Sequence, residues 1–201
     1  MPKVIDYYLS LTSPWTYMGD ARLRDIAHRH DAVINHKPVR LGEIFSMSGG
    51  LPLPKRAPQR QAYRMLELKR WRRRLGVDLN LEPKFFPAPD SLSARMVLAA
   101  KIKGTDVANL VHAIMRAVWA EEKDQTDSNT LVAIADGLHL DGKAFLAGAD
   151  TDEVRILYDR YTEEAKVAGV FGAPGYVIDG ELFWGQDRLD FVAEKLKNEG
   201  D

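Results

Sequence analysis

The sequence predicts an α/β protein whose four-stranded core is interrupted by a large all-helical insertion. Three observations predict it. Residues 1–40 read as strand, helix, strand. The chain from Tyr176 onward reads as a hairpin followed by a helix. Between them the apolar residues recur with the helical period, punctuated by glycine and proline. The expected division is residues 1–45 with 170–201 for the core, and 46–169 for the inserted helical domain.

Each element has a local reason. Val4 to Leu9 is rich in β-branched and aromatic residues, as a buried strand requires. Ser13 is a good N-cap and Pro14 a good first helical residue, since proline's missing N–H would be unpaired there anyway. Tyr17, Leu23 and Ile26 carry that helix to about His30, and Val33 to Val39 reads as a second strand. Gly49 to Pro58 reads as a loop, with Pro52, Pro54 and Pro58 excluding regular structure. From Gln59, the residues Ala62, Met65, Leu68, Trp71 and Leu75 share one helical face, and Gly76 is a suitable stop. A second proline-rich loop covers Glu82 to Pro89. Helices follow over Ser91–Lys103, Thr105–Glu121, Ser128–Asp136 and Asp152–Ala168, each closed by a glycine or a polar turn. Tyr176–Ile178 and Glu181–Trp184 flank Asp179-Gly180, a strong hairpin signal. The last helix starts near Asp187 and carries Leu189, Phe191, Val192 and Leu196.

Composition narrows the function classes. With 28 basic against 29 acidic residues, nothing points to a nucleic-acid or anionic-membrane partner. Cysteine is absent, which excludes disulfides, thiolate metal sites and thiol–disulfide exchange by the chain itself. His28 and His30 flank Arg29 with no third ligand at metal spacing, so no metal is expected. Arg70, Arg72, Arg73 and Arg74 read as the solvated end of a helix, where positive charge is favoured. No secretory pattern opens the chain and no window approaches the roughly 20 apolar residues of a membrane span. A cytoplasmic location is the expectation.

Three short motifs carry a family resemblance. Ser13-Pro14-Trp15-Thr16 lies between the first strand and the first helix, where thioredoxin-like oxidoreductases hold Cys-x-x-Cys, so Ser13 and Thr16 take the cysteine positions. Val170-Phe171-Gly172-Ala173-Pro174 resembles the family's segment ending in a cis-proline. Phe183-Trp184-Gly185-Gln186-Asp187-Arg188-Leu189 resembles the Trp-Gly-x-Asp-Arg signature of 2-hydroxychromene-2-carboxylate isomerases and kappa-class glutathione transferases. The chain thus resembles this family over its whole length. The resemblance implies a thioredoxin-like fold (βαβ…ββα) with a large all-helical insertion, on the DsbA-like scaffold, with glutathione as cofactor and a homodimeric assembly.

By position, the resemblance gives Ser13 the hydrogen bond to the glutathione sulfur and Ala173, before Pro174, the backbone pairing with the cysteinyl part. It gives Gln186, Asp187 and Arg188 the γ-glutamyl end, where a carboxylate beside a guanidinium suits a zwitterion. Arg60 falls near the glycyl carboxylate. Trp15, Tyr17, Tyr63 and Phe85 are the candidate walls for a small aromatic or other electrophilic substrate. The family's isomerases carry an asparagine and a lysine over the second substrate, where this chain has residues 49–61, in which Lys55 and Arg60 are the candidates to compensate.

The chemistry at Ser13 also follows from elementary physics. A free thiol ionises near 8.5, so little thiolate exists at neutral pH. A helix N-terminus presents unpaired N–H groups and partial positive charge, and a hydroxyl adds a charge-assisted hydrogen bond. Serine in place of cysteine therefore removes redox chemistry and leaves a pocket suited to a borrowed thiolate. Three outcomes are open: a cis–trans isomerase acting by reversible thiolate addition to a conjugated substrate, a kappa-like transferase that keeps the adduct, or a thioredoxin-like binding module without catalysis.

Overall fold

Strand β1 (Val4–Leu9) runs parallel to β2 (Val33–Pro38), in a register that pairs Val4 with Val33 and Leu9 with Pro38. Parallel neighbours need a crossover, and helix α1 (Pro14–Arg29) supplies it. Strand β3 (Gly175–Ile178) joins the other edge of β1 antiparallel, with Tyr176 opposite Tyr7. Strand β4 (Glu181–Trp184) completes the sheet in the order β2-β1-β3-β4. Asp179 and Gly180 both have positive φ, 51° and 81°, as a type I′ hairpin turn demands. The computed structural model describes residues 2–197.

Between the two halves of the sheet lie α2 (Leu41–Ser48), a 3₁₀ turn (Leu53–Lys55), α3 (Pro58–Leu75), α4 (Ser91–Ile102), α5 (Ala108–Trp119), α6 (Ser128–Gly137), α7 (Gly142–Gly148) and α8 (Asp152–Val167). Helix α9 (Leu189–Lys197) closes the chain. Two of these helices were not foreseen. Helix α2 has no side-chain cap at Arg40 and fully buries only Ile44, so it has neither a start signal nor a long apolar stripe. Helix α7 spans seven residues bounded by glycines, which are poor helix formers, and is started by Asp141 accepting from the Ala144 N–H. The proline-rich loop is also more regular than expected: Pro54 sits in the 3₁₀ turn, and Pro58 opens α3. Helix α5 is shorter than Thr105–Glu121, because the stretch before Ala108 is held in a turn by Asp106.

One apolar cluster runs from the sheet (Ile5, Tyr176) through Leu23 of α1 into Val97 of α4 and Ile114 of α5. Helix α3 stands at its margin. Of the expected face, Leu68 is fully buried, Met65, Trp71 and Leu75 are half-buried, and Ala62 is exposed. The rest of α3 is therefore free to form one wall of a cleft against the motif-bearing ends of the sheet.

Candidate functional site

The site is built on the N-terminus of α1. Ser13 has extended backbone and accepts the Thr16 N–H on its Oγ at 3.2 Å, the capping interaction read from the sequence. Its hydroxyl donates to the Ala173 carbonyl at 3.4 Å, a long bond that a better acceptor can displace. The turn preceding Ser13 is held from below by Asp90, whose Oδ2 accepts from the Ser10 hydroxyl at 2.6 Å and the Thr12 N–H at 3.4 Å. Burial pushes the Asp90 carboxyl above its usual value of 3.8, against those hydrogen bonds, which favour the anion. An acid whose pKa is raised by folding stabilises the fold below its unfolded value, and that contribution is lost as pH rises through the folded value. The stability of the wild type relative to Asp90→Asn, followed by urea melts, should therefore fall as pH climbs above 3.8. A constant difference across that range would place the ionisation elsewhere.

The second wall comes from the far end of the chain. The Ala173–Pro174 peptide bond is cis, and the Pro174 carbonyl accepts the Gly185 N–H at 2.9 Å, joining the start of the hairpin to its end. Gly172 is required by close approach: a Cβ there would sit 2.4 Å from Trp184 Nε1. Gly185, at φ 100°, leads into a 3₁₀ turn, Gln186–Arg188. Helix α1 also passes close to this turn, since a Cβ on Gly19 would lie 2.7 Å from Gln186 Cβ. Arg188 donates to Asp187 Oδ2 at 2.7 Å, with both side chains part-exposed. Gln186 is 1% exposed, and its Oε1 is a buried acceptor with no hydrogen-bond donor among the described residues.

These pieces border a cleft of about 710 Å³, ample for a tripeptide-sized ligand. Of the residues singled out in the sequence, Trp15, Arg60, Tyr63, Ala173, Gln186, Asp187 and Arg188 line it, and Ser13 adjoins it through Ala173. Pro174 lies directly behind Ala173. Tyr17 does not reach the cleft: it is 3% exposed, its hydroxyl donates to the Asp78 carbonyl at 2.9 Å, and its ring packs near His112. Phe85 is also outside the lining, with the Lys84 ammonium 4.9 Å from its ring centre. Lys55 is exposed and does not line the cleft, so Arg60 alone of that pair faces it.

Several lining residues were not foreseen. Phe171 and Trp184, whose rings lie 4.7 Å apart, add an aromatic wall beside Ala173. Arg56 and Arg64 join Arg60; the four-residue spacing of Arg60 and Arg64 along α3 was a visible signal for one shared face, whereas Arg56 lies before the helix in extended backbone and gave none.

A mixed sheet with a capped, cysteine-free helix N-terminus beside a cis-proline turn defines a thioredoxin-type binding site. Residues 4–197 match the DsbA-like thioredoxin domain, and the chain belongs to that family. Within it, the chain is 31% identical over 198 residues to the 2-hydroxychromene-2-carboxylate isomerase of Sphingobium xenophagum, covering 98% of this chain and 99% of that one. It is 22% identical to glutathione S-transferase kappa 1 of Rattus norvegicus, over 97% of this chain and 91% of the relative. The fold superposes on a crystallised 2-hydroxychromene-2-carboxylate isomerase with a TM-score of 0.78 at 23% identity, over 96% and 94% of the two chains.

Proposed function

We propose that this enzyme is a glutathione-dependent cis–trans isomerase resembling the hydroxychromene-carboxylate enzymes. The observation that carries the proposal is that one cleft joins the Ser13-capped helix N-terminus to the Gln186–Arg188 turn. A ligand with a thiol in its middle and charged ends fits that layout.

The residues present suit glutathione. The unpartnered Gln186 Oε1 can accept from the γ-glutamyl ammonium, and Asp187 and Arg188 offer the opposite charges of a zwitterion. Ala173 would pair its backbone with the cysteinyl part, behind which Pro174 fixes the chain direction. Arg60, which has no carboxylate within ion-pair distance among the described residues, is available for the glycyl carboxylate. The group supplies, when bound, a thiolate that adds reversibly to a conjugated carbon so that the former double bond can rotate. Ser13 holds that thiolate by turning its hydroxyl away from Ala173, and the α1 N-terminus lowers the cost of the charge. Trp15 and Tyr63 offer apolar surface to a planar acceptor.

The kappa transferase relative supports a second outcome, in which the same residues hold the same thiolate and the adduct is released. On this proposal the enzyme works in the cytosol as a homodimer. No described helix is long and apolar enough to cross a membrane. Light scattering that returned a clean monomer mass would remove the dimer.

Calorimetry of glutathione binding tests the proposal. Saturable binding with proton release is expected, weakened about tenfold or more by Arg188→Ala, the range for one charge-assisted contact. No binding at millimolar glutathione would leave a binding module in place of an enzyme.

A further inference from the structure

The α3 side of the cleft carries more positive charge than glutathione uses. Six charged side chains line the cleft, four arginines against two acids, and both acids are already engaged. Glu67 accepts from Arg70 at 2.6 Å and from Trp71 Nε1 at 3.2 Å, and Asp187 is held by Arg188. Among the described residues no carboxylate lies within ion-pair distance of Arg56, Arg60 or Arg64, all three of which line the cleft. Three guanidiniums thus share one concave surface with no acid assigned to them.

Arg56 and Arg64 are also fixed in place, on different supports. Arg56 donates its Nε to the Leu51 carbonyl at 2.7 Å, and its guanidinium lies 5.9 Å from the Phe45 ring centre. Arg64 lies 5.4 Å from the ring centre of Phe86, which itself packs on the buried Trp119 at 4.8 Å. Stacking on an aromatic face leaves the guanidinium edge open to an anion in its own plane, apart from Arg56 Nε and a weak contact of Arg64 Nη1 with Met65 Sδ at 3.8 Å. The two guanidiniums are therefore held on separate platforms, one on Phe45 and one on Phe86. Burial and the neighbouring Arg56 charge push Arg64 down to about 10, and burial and the Arg60 charge lower Arg56. Each of these groups gains from an anion placed beside it.

We propose that Arg56 and Arg64 form a second anion subsite, separate from the one Arg60 offers glutathione, and that the acceptor taken by this cleft is a planar conjugated molecule bearing two acid groups. The assignment of Arg60 rests on the glutathione proposal above; the free charge of Arg56 and Arg64 does not. The aromatic lining of Trp15, Tyr63, Phe171 and Trp184 suits the planar body, and the two forks set the positions of its acids. A neutral acceptor would leave the partly desolvated charges of Arg56 and Arg64 repelling each other without a counter-ion, which is the repulsive element that selects against it.

The test uses three unreactive rings of rising charge, benzamide, benzoate and isophthalate, titrated into the whole protein with and without saturating glutathione at low salt. Isophthalate is expected to bind about tenfold or more tighter than benzoate, and benzoate tighter than benzamide. Arg56→Gln and Arg64→Gln should each erase one step of that ladder, about tenfold, while glutathione affinity stays within about twofold of wild type. Arg64→Lys, which keeps the charge without the fork, should fall between. Equal binding of the three rings would overturn the subsite. So would variants that weaken glutathione and leave isophthalate untouched, since Arg56 and Arg64 would then serve the glycyl carboxylate. If glutathione itself does not bind, the isomerase proposal fails, and the ladder measured on the glutathione-free protein still decides the subsite.

Discussion

Replacing Ser13 with glycine is expected to lower glutathione-dependent turnover about a hundred- to a thousandfold, the usual cost of removing one preorganised donor from a developing or stored anion. Glycine is the informative choice. Alanine at an N-cap costs about 1 kcal/mol of stability, whereas glycine costs only a few tenths, because it also adopts the cap conformation and leaves the N–H groups accessible. The helix start at Pro14 would therefore survive, and the Thr16 N–H would turn to solvent or ligand. Steady-state kinetics should show the loss in kcat, and the apparent glutathione affinity at neutral pH should weaken by the factor that the rise in the bound thiol's ionisation dictates, with affinity at low pH, where the thiol is neutral in both, little changed. Ser13→Thr keeps a hydroxyl and should recover part of the rate. Unchanged turnover in the glycine variant would remove Ser13 from the mechanism.

Trp119→Ala should destabilise the fold by about 3–5 kcal/mol, lowering Tm by roughly 10 °C or more. Trp119 is completely buried at the end of α5, where its ring packs on Phe86 and its carbonyl accepts the Asn80 N–H at 2.6 Å. Removing the indole leaves a cavity that this rigid junction cannot close, and it unseats the platform on which Arg64 stacks. Trp119→Phe is a sharper probe. The indole N–H is buried with no acceptor among the described residues, so phenylalanine removes a polar group that gains nothing from burial. Thermal melts should show the phenylalanine variant losing under half of what alanine loses. Equal losses would mean the indole N–H is engaged after all.

The parts of the molecule that were legible in the sequence are those decided by residues close together along the chain. β1 and β4 have the bounds that their apolar runs predict, and the Asp179-Gly180 turn has the two positive φ angles its residue types favour. The Ser13 cap and the Asp187–Arg188 pair are likewise local. What could not be read depends on packing between distant segments. Asp90 looks like one more polar residue after a proline, and only the approach of its loop to the Ser10 turn makes it a buried support. His112 seems isolated along the chain but lies 2.9 Å from the fully buried Asp20 because α1 and α5 cross there. Tyr17 shows the limit of reasoning from nearness along the chain, for its helical period with Leu23 and Ile26 already points it to the core. It follows Ser13 by four residues, but Ser13 is a cap with extended backbone, so its side chain does not share the stripe that sends Tyr17 into the core. Trp71, on the apolar face of α3, is shared between the core margin and the cleft, because α3 packs on one side only.

The central claim is that the α1 N-terminus and the Ser13 hydroxyl hold the sulfur of glutathione as a thiolate. The ultraviolet thiolate band of protein-bound glutathione, titrated against pH in the wild type and in Ser13→Gly, measures this directly. The expected result is ionisation well below the ordinary thiol value of about 8.5 in the wild type, moving back toward it in the variant. Glutathione that binds saturably yet ionises at its ordinary value in the wild type would contradict the account, for the cleft would then hold the tripeptide without activating it.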